Sequence, residues 1–198
     1  MVKIDSRDRG KMKNVKSIID NACKEKKERD RKRGIINRPV RAMVAGIPNV
    51  GKSTFINSFA GKACAQTGNK PGVTKGKQWI RLNKDVELLD TPGILWPKFE
   101  DNTVGIRLAF IGSVNDQVIN MHELAGELVA YITRLYPGRL NERYKADESL
   151  QIADILRCIA TSRGCLKKGG EIDYDKAVSI LFDDFRSGKL GKVSLESP

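Results

Sequence analysis

The residues whose types and spacing point most directly to chemistry are Gly46-Ile47-Pro48-Asn49-Val50-Gly51-Lys52-Ser53, which fit the pattern G-x-x-x-x-G-K-[ST]. Its glycines allow a tight turn whose main-chain N–H groups point inward at phosphate oxygens. Asn49, Val50, Gly51, Lys52, Ser53 and Thr54 form the expected phosphate-binding stretch. Lys52 is placed to reach the β- and γ-phosphates, and the Ser53 hydroxyl to hold Mg²⁺. A bland glycine-rich turn is the alternative, and the flanks argue against it. Arg41–Ala45 reads as a short buried strand, and Thr54–Ala60 opens a helix with Phe55, Ile56 and Phe59 at helical spacing. Strand, loop and helix N-terminus together make an anion site.

Two further segments extend that chemistry. In Pro71-Gly72-Val73-Thr74 the Thr74 hydroxyl is suited to Mg²⁺ when the loop closes over a γ-phosphate. In Asp90-Thr91-Pro92-Gly93, Asp90 is suited to Mg²⁺ through a water, and Gly93 to offering its N–H to the γ-phosphate at close approach. A lone D-x-x-G says little. All three segments in this order and at these separations point to a GTPase-type switch, with Lys52 and Thr74 as its catalytic candidates and Ser53, Thr74 and Asp90 as its metal ligands.

These residues need elements to hold them. Lys77–Leu82 and Asp85–Leu89 read as two strands joined at Asn83-Lys84, the second delivering Asp90 at its C-terminal end. Val2–Ile4 reads as a strand end. Met12, Val15, Ile18, Ile19 and Ala22 recur at helical spacing, predicting an amphipathic helix over 11–26 with a charged tail to Gly34. Lys62–Gly76, glycine-rich and poor in apolar residues, reads as a mobile loop. Helices are expected at 101–112, at 121–136 with Leu124, Leu128, Ile132 and Leu135 as one stripe, at Leu150–Ile159 and at Tyr174–Arg186. The expected organisation is a strand end, helix and basic linker over 1–34, a phosphate-loop core over 35–119, and a small all-helical domain over 120–198.

The 198-residue chain carries a net charge of +12, and the excess is concentrated before residue 42, densest at Lys24–Arg33. Such a run is either a solvated helix end or linker, or a surface facing RNA phosphates. No apolar run is long enough to span a bilayer, and the start is no signal peptide. Cys23, Cys64, Cys158 and Cys165 lack metal or disulfide spacing. They read as packing residues in a reducing, cytoplasmic setting, and the lone His122 reads as structural.

The stretch from Arg41 to Pro97 resembles the circularly permuted GTPases that mature the large ribosomal subunit, the ribosome biogenesis GTPase A family. G-I-P-N-V-G-K-S at 46–53, T-G-N-K-P-G-V-T at 67–74 and L-L-D-T-P-G-I-L-W-P-K-F-E at 88–100 carry the resemblance. Arg139–Tyr144, R-G-C-L at 163–166 and G-G-E-I-D-Y-D-K at 169–176 extend it through the helical tail. The resemblance implies an α/β fold, GTP and Mg²⁺ as ligands, and a large-subunit precursor with its rRNA as partner, with neither membrane nor DNA.

It also exposes departures. The family's guanine motif, Asn-Lys-x-Asp, lies before the phosphate loop, and this sequence has none. Ser6 falls near where the family's second base-contacting loop would be. The expected GTPase domain is therefore incomplete, beginning just downstream of the guanine motif, and its strand at 41–45 should lack one neighbour and leave apolar surface exposed. Ile94 stands where many GTPases place a water-orienting Gln, a feature the family shares, which implies slow intrinsic hydrolysis. Asn49 is either a loop-shaping residue or, as in related GTPases, a sign of K⁺ near the phosphates. Two functions are consistent with this pattern: a GTP-hydrolysing switch in large-subunit assembly, and a nucleotide-insensitive rRNA-binding remnant of one.

Overall fold

A computed structural model describes residues 4–6, 8–36, 38–66, 68, 76–82, 84–95 and 101–196, without the side chains of 9, 11 and 13. The Pro71–Thr74 segment, residues 96–100 and the start of the expected Val2–Ile4 strand lie outside the described residues. The chain forms two compact units, Met1–Pro97 and Lys98–Pro198.

The first unit is a small sheet backed by helices. Helix α1 spans Arg9–Ala22, α2 Lys24–Lys32, strand β1 Val40–Val44, helix α3 Lys52–Ala60, and strands β2 and β3 Gln78–Arg81 and Val86–Asp90. The strand order is β1-β3-β2, with β1 parallel to β3 and β2 antiparallel to it. Residues alternate between faces along a strand. One face therefore carries Ala42, Val44, Ile80, Val86 and Leu88, which pack with Ile56 of α3 in a common core. The other carries Met43, 65% exposed, and Trp79, 52% exposed. Arg41 partly covers it, ion-paired to Glu87 at 3.1 Å with its guanidinium 5.0 Å from the Trp79 ring centre. Among the described residues β1 pairs on one side only. The expected edge strand with exposed apolar surface is present.

Helix α1 ends earlier than its apolar spacing suggested. Met12 and Val15 are buried, whereas Ile18 is exposed, and the helix breaks at Cys23. Helix α2 then carries nine residues with none buried, so nothing apolar holds the register of α1 across the break.

The second unit contains α4 (Asn102–Phe110), a 3₁₀ turn at Asp116–Val118, α5 (Met121–Leu135), α6 (Arg139–Tyr144), α7 (Ile152–Ser162) and α8 (Tyr174–Arg186). Leu128, Ile132, Leu140, Tyr144, Ile159, Leu181 and Phe182 form its core. Helix α4, expected within the phosphate-loop core over 35–119, packs in this unit. Burial explains this: Ala109 and Phe110 of α4 belong to the helical core. Arg186 of α8 then donates to the Ala109 and Phe110 carbonyls and forks onto Asp116. Leu135, expected on the buried stripe of α5, is 50% exposed at the helix end. Asn120 and Asp173 cap α5 and α8 through their side chains. The His122 ring Nε2 and Asp175 Oδ1 share a hydrogen bond at 2.7 Å, joining the starts of α5 and α8. All four cysteines are free.

Candidate functional site

The register Val44↔Asp90 brings the ends of two parallel strands side by side. The chain leaving β1 enters the glycine loop, and the chain leaving β3 enters Thr91-Pro92-Gly93. Both therefore emerge at one carboxyl edge of the sheet, where open α/β sheets place their ligands. Thr91 ties the two exits together by donating its hydroxyl to the Val44 carbonyl at 2.8 Å.

The loop itself is shaped by two left-handed residues. Asn49 has φ of 60° and Gly51 φ of 88°. The Gly51 carbonyl accepts from the Phe55 N–H at 2.8 Å, starting α3. As N-cap, Gly51 has no side chain to close the helix start, and the first turn, Lys52-Ser53-Thr54, contains no acid. A helix that begins in this way presents its dipole to an outside anion. Val50 is 50% exposed at the loop's crest.

Lys52 bends back across the loop. Its ammonium donates to the carbonyls of Gly46 at 3.1 Å and Ile47 at 2.8 Å. Two of its three donors thus staple the arch, and a third is left for a ligand. Burial lowers its pKa from the ordinary lysine value, and the charge of Asp90 opposes that shift. Asp90 is 2% exposed. Burial raises its pKa, while Lys52 and the Thr91 N–H pull it down. Its Oδ1 is buried without a hydrogen-bond partner. A buried carboxylate oxygen left unsatisfied costs about 1–3 kcal/mol or more, so this atom suits a hydrated cation. An oxygen-ligated Mg²⁺ fits the donors present: Asp90 at the end of β3 and the Ser53 hydroxyl in the first turn of α3.

Gly93 lies against the loop. A Cβ built on it would stand 2.4 Å from Pro48 Cα and 2.5 Å from Pro48 N. Only a glycine permits this approach of two backbones. Ile94, next along, is 73% exposed. The structure thus gathers residues 46–53 and 90–93 into one place. Ser6 lies in the turn before α1, where the Asp8 N–H donates to the Asp5 carbonyl, and among the described residues no bond joins it to the glycine loop. Thr74 lies outside the described residues.

Asn57 escaped the sequence reading. Its side chain accepts from the N–H groups of Cys64 and Ala65 and donates to the Ala65 carbonyl. It anchors the beginning of the 62–76 segment to α3. The only available signal was an Asn inside a helix with a long loop close behind it.

Strand, glycine loop, helix start without a side-chain cap and a neighbouring strand that ends in Asp-x-x-Gly define a P-loop domain of the switch type. Residues 41–157 match the family model described as 50S ribosome-binding GTPase, and the chain belongs to that family. It is 46% identical over 188 residues to ribosome biogenesis GTPase A of Bacillus cereus, covering 94% of this chain and 64% of that protein. It is 36% identical over 167 residues to the protein of the same name from Thermotoga maritima, covering 82% of this chain and 58% of that one. Among solved structures it resembles a GDP-bound YlqF, with a TM-score of 0.58 and 29% identity over 84% of this chain and 64% of the other. A GNP-bound YlqF from T. maritima gives 0.52 and 30% over 83% and 62%. The chain therefore spans about 58–64% of the length of these proteins.

Proposed function

We propose that this chain is a GTP-binding, GTP-hydrolysing switch acting in assembly of the large ribosomal subunit, in the cytoplasm. The observation that carries the reading is the meeting of the partnerless Asp90 Oδ1, the stapled Lys52 and the Gly93–Pro48 contact at one sheet edge. Relatives named for ribosome biogenesis support the biological setting.

In this reading the main chain of Asn49–Thr54 cradles the α- and β-phosphates. Lys52 turns its remaining N–H toward the β- and γ-phosphates, and Gly93 gives its N–H to the γ-phosphate. Ser53, Thr74 and Asp90 would hold Mg²⁺, whose charge offsets that of the phosphates. Ser6 would contact the base, and Asn49 would mark a K⁺ site. Thr74 and Gly93 couple the γ-phosphate to the 62–76 loop and the 93–100 segment, so nucleotide state sets their order. Exposed Ile94 cannot orient a water, which makes intrinsic hydrolysis slow. The basic front and helical tail would contact rRNA of the precursor particle.

The test is co-sedimentation with ribosomal particles in the presence of a nonhydrolysable GTP analogue or GDP. Stronger binding with the analogue is expected. Equal binding, together with no nucleotide affinity, would favour a nucleotide-insensitive rRNA-binding remnant.

A further inference from the structure

The helical unit contains a cavity of about 330 Å³ lined by Arg139, Glu142, Arg143, Gly188, Lys189, Leu190 and Gly191. Its chemistry is lopsided. Behind it lies Asp184, with a side chain 5% exposed, which accepts from Arg143 at 2.9 Å and Arg163 at 3.3 Å and ion-pairs with Lys189 at 3.1 Å. The Tyr144 hydroxyl adds a fourth bond at 3.1 Å. Arg139 is ion-paired to Glu142 at 3.6 Å, beyond hydrogen-bond range. Three cations, Arg139, Arg143 and Lys189, thus line the cavity with the single carboxylate of Glu142, while Asp184 sits behind them.

The glycines make this arrangement possible. Gly188 and Gly191 hold φ of 77° and 86°, which folds the chain after α8 back toward α6. A Cβ on Gly191 would stand 2.7 Å from Arg139 Nη1 and 2.8 Å from its Cζ. The guanidinium therefore lies against bare backbone, in space that a side chain at 191 would take. Arg143 spends its Nε and one Nη on Asp184, leaving further N–H groups of its five available. Arg139 is 40% and Lys189 56% exposed at the rim.

We infer that this cavity, formed by Arg139, Arg143 and Lys189 over the Gly188–Gly191 turn, is a phosphodiester site for an RNA strand. The Arg143 guanidinium, fixed from behind by the buried Asp184, and the Arg139 guanidinium at the rim match the forked geometry of phosphate oxygens. The lining has no aromatic side chain on which a base could stack, and Leu190 is buried in the core at 2% exposure. The site therefore grips backbone and reads no sequence. A carboxylate ligand is disfavoured, because Asp184 and Glu142 already supply that chemistry. The inference rests on the reading that the chain works on ribosomal RNA, and it assigns a specific anchor within it.

Fluorescence anisotropy of a labelled RNA hairpin against the full chain, repeated over a series of KCl concentrations, tests it. Removing one phosphate-binding cation lowers the slope of log K against log[salt] by about 0.7–0.9. Arg139→Gln with Lys189→Gln should reduce the slope by nearly two and weaken binding at low salt by at least tenfold. A Lys167→Gln/Lys168→Gln pair, removing equal charge elsewhere on the unit, should do markedly less. Thermal melts establish that each variant is folded. Equal effects of the two charge pairs would overturn the site. Nucleotide-dependent particle binding is a separate readout. If it is absent while the slopes fall as expected, the switch fails and the site stands; if it persists while the slopes stay unchanged, only the site fails.

Discussion

Gly93→Ala is the substitution whose consequence can be worked furthest. The added Cβ would meet Pro48 Cα at 2.4 Å, Pro48 N at 2.5 Å and Pro48 Cγ at 2.9 Å. Carbon–carbon contacts settle at about 3.5–4.0 Å, so the overlap is roughly 1 Å. Neither side yields by rotating a rotamer, since the obstructing atoms are main chain and a fixed ring. Relief requires the Asp90–Gly93 exit to move away from the glycine loop by about the same distance. An N–H···O bond near 2.9 Å would then lengthen beyond hydrogen-bonding range. Losing one bond to a charged phosphate costs about 1.5–3 kcal/mol, or roughly 10–150-fold in affinity. GDP lacks the γ-phosphate and should lose far less. Calorimetric titration with a nonhydrolysable GTP analogue and with GDP reads the ratio directly. Overpacking should also cost about 1–3 kcal/mol of stability in the nucleotide-free protein. An unchanged analogue-to-GDP ratio together with an unchanged melting temperature would refute the steric argument.

Other perturbations separate the parts. Asp90→Asn should raise the stability of the nucleotide-free chain, because it removes a buried carboxylate whose pKa is raised chiefly by burial. A raised carboxylate favours folding more as pH falls, so wild-type stability should climb on acidification through that group's titration and the variant's should not. The same change should abolish Mg²⁺-dependent strengthening of nucleotide binding, read by titration with and without the ion. Asp184 behaves oppositely: burial pushes its carboxyl up, but Arg143, Lys189 and Tyr144 outweigh that and hold it below the usual 3.8. Its contribution is present above that value and is lost as pH falls through the lowered one. Asp184→Asn should therefore cost about 3 kcal/mol at neutral pH and flatten the acid limb of a denaturation series. Gly126→Ala, inside α5 with only Ile152 Cγ2 nearby at 3.7 Å, should stabilise the helical unit by about 0.5–1 kcal/mol and leave nucleotide affinity untouched.

The two segments that meet at the sheet edge were legible because their chemistry is written in short range. Gly46 to Ser53 and Asp90 to Gly93 are contiguous runs whose glycines answer to backbone geometry, and the register Val44↔Asp90 brings them together. Helix α8 has the expected bounds, Tyr174–Arg186. What could not be read depended on partners distant in sequence. The place of α4 follows from Arg186 reaching across to the Ala109 and Phe110 carbonyls. The break at Cys23 follows from α2 having no apolar contact to continue α1. Helix α6 is six residues held by Glu148, whose carboxylate accepts from the N–H groups of Gly138, Leu140 and Asn141. A helix so short shows no period to detect. The hold of Asn57 on Cys64 and Ala65 likewise appears only once the loop returns to α3.

The central claim is that the glycine loop and Asp90 grip a magnesium-bound nucleoside triphosphate. Titration of a fluorescent GTP analogue into the wild-type chain and into Lys52→Ala, with Mg²⁺ present, tests it most directly. Saturable binding to the wild type, weakened at least tenfold in the variant and competed by GTP, is the predicted result. Equal affinity in the two proteins, or no binding to the wild type, would contradict the account.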